Sequence, residues 1–250
     1  MNSSSEIAIY QTFHKSFLHS KTCQWIQPVG VNGYLEDGLI SDASGDQISS
    51  LNPYFCELTA QYWAWKNSQA PIVGFYHYRR YMNYLIDGTW SGDYGFSVPA
   101  SQQIIDYLTH DNQRNMLERM LQVCDVVIPA RYSSGTNSIE QHYVVHHQPE
   151  HWAEFMESIA RRFPEDARYL DLFKLTNLNT AFNMFVMRRE LFNVYCEDLF
   201  AVLMPLFEKF GRGYGEYNNR YPGFLAERFL AFWIQKHGLR TFEVPMMMLT

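Results

Sequence analysis

Two adjacent arginines set between aromatic residues, His77-Tyr78-Arg79-Arg80-Tyr81, form the most chemically loaded segment of this 250-residue sequence. They follow directly on Pro71-Ile72-Val73-Gly74-Phe75-Tyr76, a short apolar run suited to a buried strand. The arginines therefore stand at the carboxyl end of a strand, the edge where open α/β sheets collect ligands. A guanidinium is planar, permanently charged and matched to phosphate oxygens. The tyrosines suit stacking on a ring or bonding a hydroxyl. A surface ion-pair patch is the plainer alternative, and the position at a ligand-collecting edge favours an anion site.

Three further segments carry candidate chemistry. His142 to His151 holds four of the nine histidines, and residues 147–151 match an H-x-x-E-H zinc-peptidase string. That motif needs both histidines on one helix face, and Pro149 between them breaks or begins the helix. The ordinary reading is a loop entering a helix, with one or two of these histidines free to touch a ligand. Asn183 opens an apolar run; its amide either bonds a hydroxyl-rich ligand or satisfies a turn. Glu227 lies in the first turns of an otherwise apolar helix. It is either a general base, or a charge favoured by the helix dipole and paired with Arg228 or Arg220. Asp125, after its own predicted strand, is the reserve base. No P-loop, G-x-G-x-x-G, G-x-S-x-G or Asp-x-Asp string occurs, which argues against P-loop hydrolysis and serine-esterase chemistry.

The elements that must position these residues alternate between strand and helix. Strands are predicted at 7–13, 27–33, 71–76, 124–129, 182–187 and 241–245. Asn52-Pro53 starts a helix, with Asn as cap and Phe55, Leu58, Tyr62 and Trp65 as one apolar stripe. Further helices are predicted at 104–121, 149–163, 189–210 and 223–237, with loops at 35–50, 90–99, 133–141 and 211–221. The pattern describes a single α/β domain over 1–250, an open and mostly parallel twisted sheet flanked by helices, with its ordered core at about 7–245.

Composition bounds the partners. The chain is 47% hydrophobic and 16% aromatic, with only 18% charged residues, which excludes disorder and a coiled coil. A net charge of −6 argues against nucleic acid. No run reaches the ~20 apolar residues of a membrane span. Cys23, Cys56, Cys124 and Cys196 form no CxxC pair, and the first residues do not read as a signal peptide. A cytoplasmic protein is expected, peripheral at most on the inner face of the plasma membrane.

Taken together, certain strings resemble the DUF4422 family of bacterial glycosyltransferases, associated with capsule, exopolysaccharide and O-antigen synthesis. They are Thr12-Phe13-His14-Lys15, Asp46-Gln47-Ile48-Ser49, Asn52 to Ala60, Tyr62 to Asn67, Gly74 to Tyr81, Asn183 to Met187 and Gly223 to Arg228. The resemblance runs from about residue 7 to residue 245. It implies a GT-A-like fold, a nucleotide-sugar donor, UDP-galactofuranose first among them, and a lipid-linked glycan acceptor met by transient membrane contact. In ordinary GT-A enzymes an Asp-x-Asp holds a divalent metal against the donor diphosphate. Here His77, Tyr78, Arg79 and Arg80 stand at that edge, so the resemblance implies metal-independent transfer with no cofactor. It places Thr12, His14, Lys15 and Asn183 on the donor, and Tyr81, His142, His147, Met184 and Arg228 near the acceptor or sugar. Glu227 would deprotonate the acceptor in an inverting displacement. A non-catalytic sugar-binding protein on the same fold is the second reading, and a zinc hydrolase using 147–151 the third.

Overall fold

The first strand, β1 (Ile7–Phe13), is buried along its whole length. In the computed structural model, which describes residues 6–85, 95–180 and 182–250, Ile7 and Ile9 join one apolar core while Ala8 and Tyr10 join another. Successive strand side chains point to opposite faces, so helices cover β1 on both sides, as parallel sheets require. β2 (Ile26–Gly30) and β4 (Ile72–His77) flank β1 in parallel, and β3 (Ile40–Ser41) extends the β2 edge. Beyond β4 come β10 (Val186–Arg188), β7 (Val126–Pro129) and β11 (Thr241–Val244). Among the described residues β10 alone runs against the others on this path.

Gly74 is required where the middle strands crowd together. A Cβ there would lie 2.5 Å from Ile9 Cδ1, 2.7 Å from Val186 Cγ2 and 2.9 Å from the Phe185 carbonyl. After β4 the chain folds back through β5 (Arg80–Met82), which pairs antiparallel with β12 (Met246–Leu249). β12 also takes β6 (Gly95–Val98) in parallel. A separate ribbon joins β8 (Tyr132–Ser133) to β9 (Leu178–Asn179).

On one face pack α1 (Asn52–Phe55), α2 (Leu58–Asn67), α5 (Ile139–His146), α6 (Pro149–Arg162), α7 (Ala167–Leu175), α8 (Arg189–Phe210) and α10 (Tyr221–Lys236), with α9 (Gly215–Asn218) beside them. On the other lie α3 (Gln102–Thr109) and α4 (Asp111–Val123). The mostly parallel α/β sheet predicted from the sequence is the observed architecture. No helix among the described residues is long and apolar enough to cross a membrane.

Several expected elements differ, each for a local reason. The helix from Asn52 is broken at Cys56, whose φ of 52° and ψ of −132° leave the helical region. Asn52 is not the cap. Its Nδ2 donates to the Cys56 carbonyl at 2.8 Å and to Thr59 Oγ1 at 2.9 Å, bridging the break. The helix expected over 104–121 is likewise two, divided at His110, whose Nδ1 accepts from the Asn112 N–H. Within the expected loop 133–141, a capping box of Ser138 and Gln141 starts α5, so His142 is helical. The run 182–187 is a strand only from Val186; Phe182 and Asn183 form a left-handed turn, with φ of 63° and 51°. β12, after Pro245, was not anticipated. Tyr81 and Tyr84 are buried, while Phe96 is 48% exposed. Trp90 and Tyr94 lie outside the described residues.

Candidate active site

The carboxyl ends of β1, β2 and β4 open into a cleft of about 570 Å³, the place where parallel sheets bind ligands. β1 delivers Thr12 and His14, the residues after β2 deliver Val31 and Asn32, and β4 delivers His77, Tyr78, Arg79 and Arg80. The broken α1–α2 junction adds Asn52, Pro53, Cys56 and Glu57, and the left-handed turn adds Phe182. Arg220, Phe224 and Glu227 arrive together because they are spaced as one helical face at the start of α10.

The cations of this cleft are held without carboxylate partners. Arg79 and Arg80 form no salt bridge among the described residues, and the Nε of each is buried without a hydrogen-bond partner. The Arg80 guanidinium lies 4.3 Å from the Phe182 ring centre. Its Nη1 donates to His77 Nδ1 at 3.3 Å. His77 Nε2 therefore carries the proton, which it donates to the Phe182 carbonyl. Burial lowers the pKa of His77 despite the opposing charge of Glu57, and burial with the neighbouring Lys15 lowers that of His14. Both imidazoles are then neutral at pH 7, and the positive charge rests on Arg79, Arg80 and Arg220. Unpaired guanidinium groups around an open cleft suit an oligoanion such as a diphosphate.

Two carboxylates face them. Glu227 Oε1 accepts from the Phe182 N–H at 3.2 Å, and Oε2 accepts from Arg228 Nη1 at 2.8 Å. Burial pushes its pKa up to about 7; the Glu57 charge pushes the same way, and Arg228 and the Phe182 N–H pull against it. A carboxylate poised near neutrality is matched to general-base work. Glu57 Oε1 accepts from Asn183 Nδ2 at 2.7 Å and lies 3.8 Å from His77 Nε2. Beside it, Arg220 Nε donates to Cys56 Sγ at 3.0 Å, and burial pushes that thiol up to about 12, so it stays protonated.

Of the residues singled out in the sequence, Thr12, His14, His77, Tyr78, Arg79, Arg80 and Glu227 meet in the cleft. Others do not. Lys15 is solvent-exposed, with its Nζ 5.4 Å from the Tyr78 ring centre. Asn183 is buried behind Glu57, its amide engaged by Glu57 and the Gly223 carbonyl. Met184 is buried in the core that holds α3 and α4. Tyr81 is buried and donates to Gln11. Arg228 lies behind Glu227, with Nη2 3.4 Å from His142 Nδ1. His147 stacks on the outer side of Phe224.

Asp125 precedes β7, which runs parallel to β4, so it sits at the amino edge of the sheet, opposite the cleft. There it accepts from the Arg240 backbone N–H and guanidinium. That pairing lowers its pKa and leaves it no path to the cleft. The zinc reading fails on geometry. Pro149 begins α6, His147 caps α5, and His151 is buried against Tyr221 at 4.0 Å between ring centres. Among the cleft residues missed in the sequence are Glu57 and Cys56, read as helix interior, Phe182 and Phe224, and Arg220, read only as a partner for Glu227. The 220/224/227 spacing was the available signal for Arg220.

Residues 8–238 match the family described as a domain of unknown function, DUF4422. Among solved structures, the apo form of WbbM, a bifunctional glycosyltransferase, superposes with a TM-score of 0.86 at 28% sequence identity. The alignment covers 98% of this chain and 45% of that one, so the chain spans under half the length of WbbM. No curated protein matches significantly.

Proposed function

The chain belongs to the DUF4422 family, and from that premise we propose that it is a glycosyltransferase. It moves a sugar from a nucleoside-diphosphate donor to a hydroxyl of a growing bacterial surface polysaccharide, with inversion. The observation that carries this reading is one cleft holding three arginines that have no carboxylate salt bridge among the described residues, and a carboxylate poised near neutrality. Its likeness to a domain-sized part of a bifunctional glycosyltransferase supports it.

The acceptor oxygen attacks the anomeric carbon while the bond from that carbon to the diphosphate oxygen breaks. The bonding pair leaves with the diphosphate, and the acceptor proton passes to Glu227. Arg79, Arg80 and Arg220 counter the charge that grows on the leaving group, the part a metal ion plays in ordinary GT-A enzymes. Transfer is therefore proposed to be metal-independent. A second cavity of about 490 Å³ adjoins the cleft at Asn32 and Pro53, on the β2–β3 side. Lined by Ser41, Ser49, Ser50 and Tyr34, it has room for the nucleoside. UDP-galactofuranose is the donor proposed first, and a lipid-linked glycan at the cytoplasmic membrane face the acceptor.

The test is release of nucleoside diphosphate from a panel of UDP-sugars, in excess chelator, with a lipid-linked glycan extract as acceptor. Acceptor-dependent release that persists in chelator is expected. Tight UDP binding with no turnover on any donor would leave a non-catalytic sugar-nucleotide-binding protein. Turnover restored only by manganese or magnesium would overturn metal independence.

A further inference from the structure

We infer that the aromatic row Phe224–His147–Tyr217 is the platform on which a hexose ring of the acceptor lies, its C–H face against the rings. The inference rests on Glu227 being the base. Phe224 lines the cleft one helical turn before Glu227, on the same face of α10. His147, the residue that closes α5, stacks on Phe224 at 4.4 Å and 25° between ring planes. It also stacks on Tyr217 of α9, at 5.8 Å and 19°. The Tyr217 and Phe224 rings are themselves 5.0 Å apart. Tyr217 is 58% exposed. Three packed rings thus lead from solvent to the carboxylate that would take the acceptor's proton.

The chemistry of the row fits a sugar better than a phosphate. Burial holds the His147 imidazole down to about 4, so the row is uncharged at neutral pH. A sugar ring carries a patch of C–H groups on one face, and such a patch packs on an aromatic face while the hydroxyls stay free to bond. The row also lies on the side the donor leaves open. The arginines hold the middle of the cleft, and the hydroxyl-lined second cavity extends it toward β2 and β3. An acceptor must reach Glu227 without crossing the donor, and the α10 side is the approach that does so.

The test reads binding, not turnover. Lactose, maltose and methyl β-galactoside are titrated into the UDP-saturated protein, with saturation-transfer NMR reporting which sugar protons touch it. For the wild type, saturation of ring C–H protons is expected with at least one of these sugars. In Tyr217→Ala the dissociation constant for that sugar should rise about tenfold, the scale of one lost aromatic contact. Tyr217→Phe should bind as the wild type does, and UDP affinity should not change in either variant. Equal sugar binding by Tyr217→Ala and the wild type would overturn the platform, as would no contact with any of the sugars. Loss of UDP affinity in Tyr217→Ala with sugar binding intact would place the nucleobase on the row instead. Turnover of Glu227→Gln is measured separately. A fully active Glu227→Gln variant would remove the base while these binding results still decide the platform.

Discussion

Glu227 is the residue at which structure and chemistry meet most directly. Glu227→Gln keeps the shape and one acceptor oxygen for the Phe182 N–H or the Arg228 guanidinium, but not both, and it cannot accept a proton. Turnover should fall ~10²–10⁴-fold with UDP affinity nearly unchanged, by steady-state kinetics and calorimetry. The wild-type rate should climb with pH through about 7 and level off above it, because only the ionised carboxylate is a base. Its stability runs the other way. A carboxyl whose folded pKa is raised binds its proton more tightly when folded. Its favourable contribution is thus complete below the ordinary value of 4.5 and is lost as pH rises through about 7. Glu227→Gln should therefore lack this pH-linked loss, so that between pH 4 and pH 8 the wild type loses up to about 3 kcal/mol more than the variant in denaturant titrations. For the arginines, Arg79→Ala and Arg80→Ala should each weaken UDP binding by about 1.5–3 kcal/mol and leave uridine binding unchanged. Equal losses for UDP and uridine would show that these side chains do not reach phosphate.

At the scale of elements, the break between α1 and α2 brings Glu57 into the cleft. Cys56 at its centre holds a left-handed backbone that glycine adopts without strain. Cys56→Gly should accordingly be more stable than Cys56→Ala by about 1 kcal/mol in thermal unfolding, the reverse of the order inside a continuous helix. A helix stripe of Phe55, Leu58, Tyr62 and Trp65 conceals such a break, because the apolar spacing resumes after it. Here the limit of the sequence is plain. β1, β4, α6 and α8 were legible, since their apolar periods and Pro149 act locally. So was the edge at which Arg79 and Arg80 stand. The interruption at Cys56, the left-handed turn at Phe182 and Asn183, and the pairing of β12 depend on contacts across the molecule. Asn183 was misread for that reason: its amide holds Glu57 from behind instead of facing a ligand. Asp125 was misplaced because a residue before a strand and one after it lie at opposite edges of the sheet.

For the whole molecule, the question is how an acidic protein would meet the lipid-linked acceptor proposed for it. The net charge is −6, and no helix among the described residues is long and apolar enough to cross a membrane. Anionic lipid repels such a charge, and firm attachment needs apolar burial or a basic cluster. Most of the protein should remain in the supernatant after sedimentation with protein-free anionic vesicles, and the membrane-bound fraction in cells should shrink when acceptor synthesis is blocked. Tight sedimentation with bare vesicles would reveal an anchoring surface. The pairing of β12 with β5 bears on when the molecule becomes competent. Met248 lies opposite Arg80, and the Leu249 N–H donates to the Arg79 carbonyl, so the backbone of both clamp arginines is fixed by the last strand. A ribosome adding about 5–20 residues per second makes that strand on the order of ten seconds after the arginines. Through that interval the nascent chain has the two arginines but not the strand that fixes their backbone.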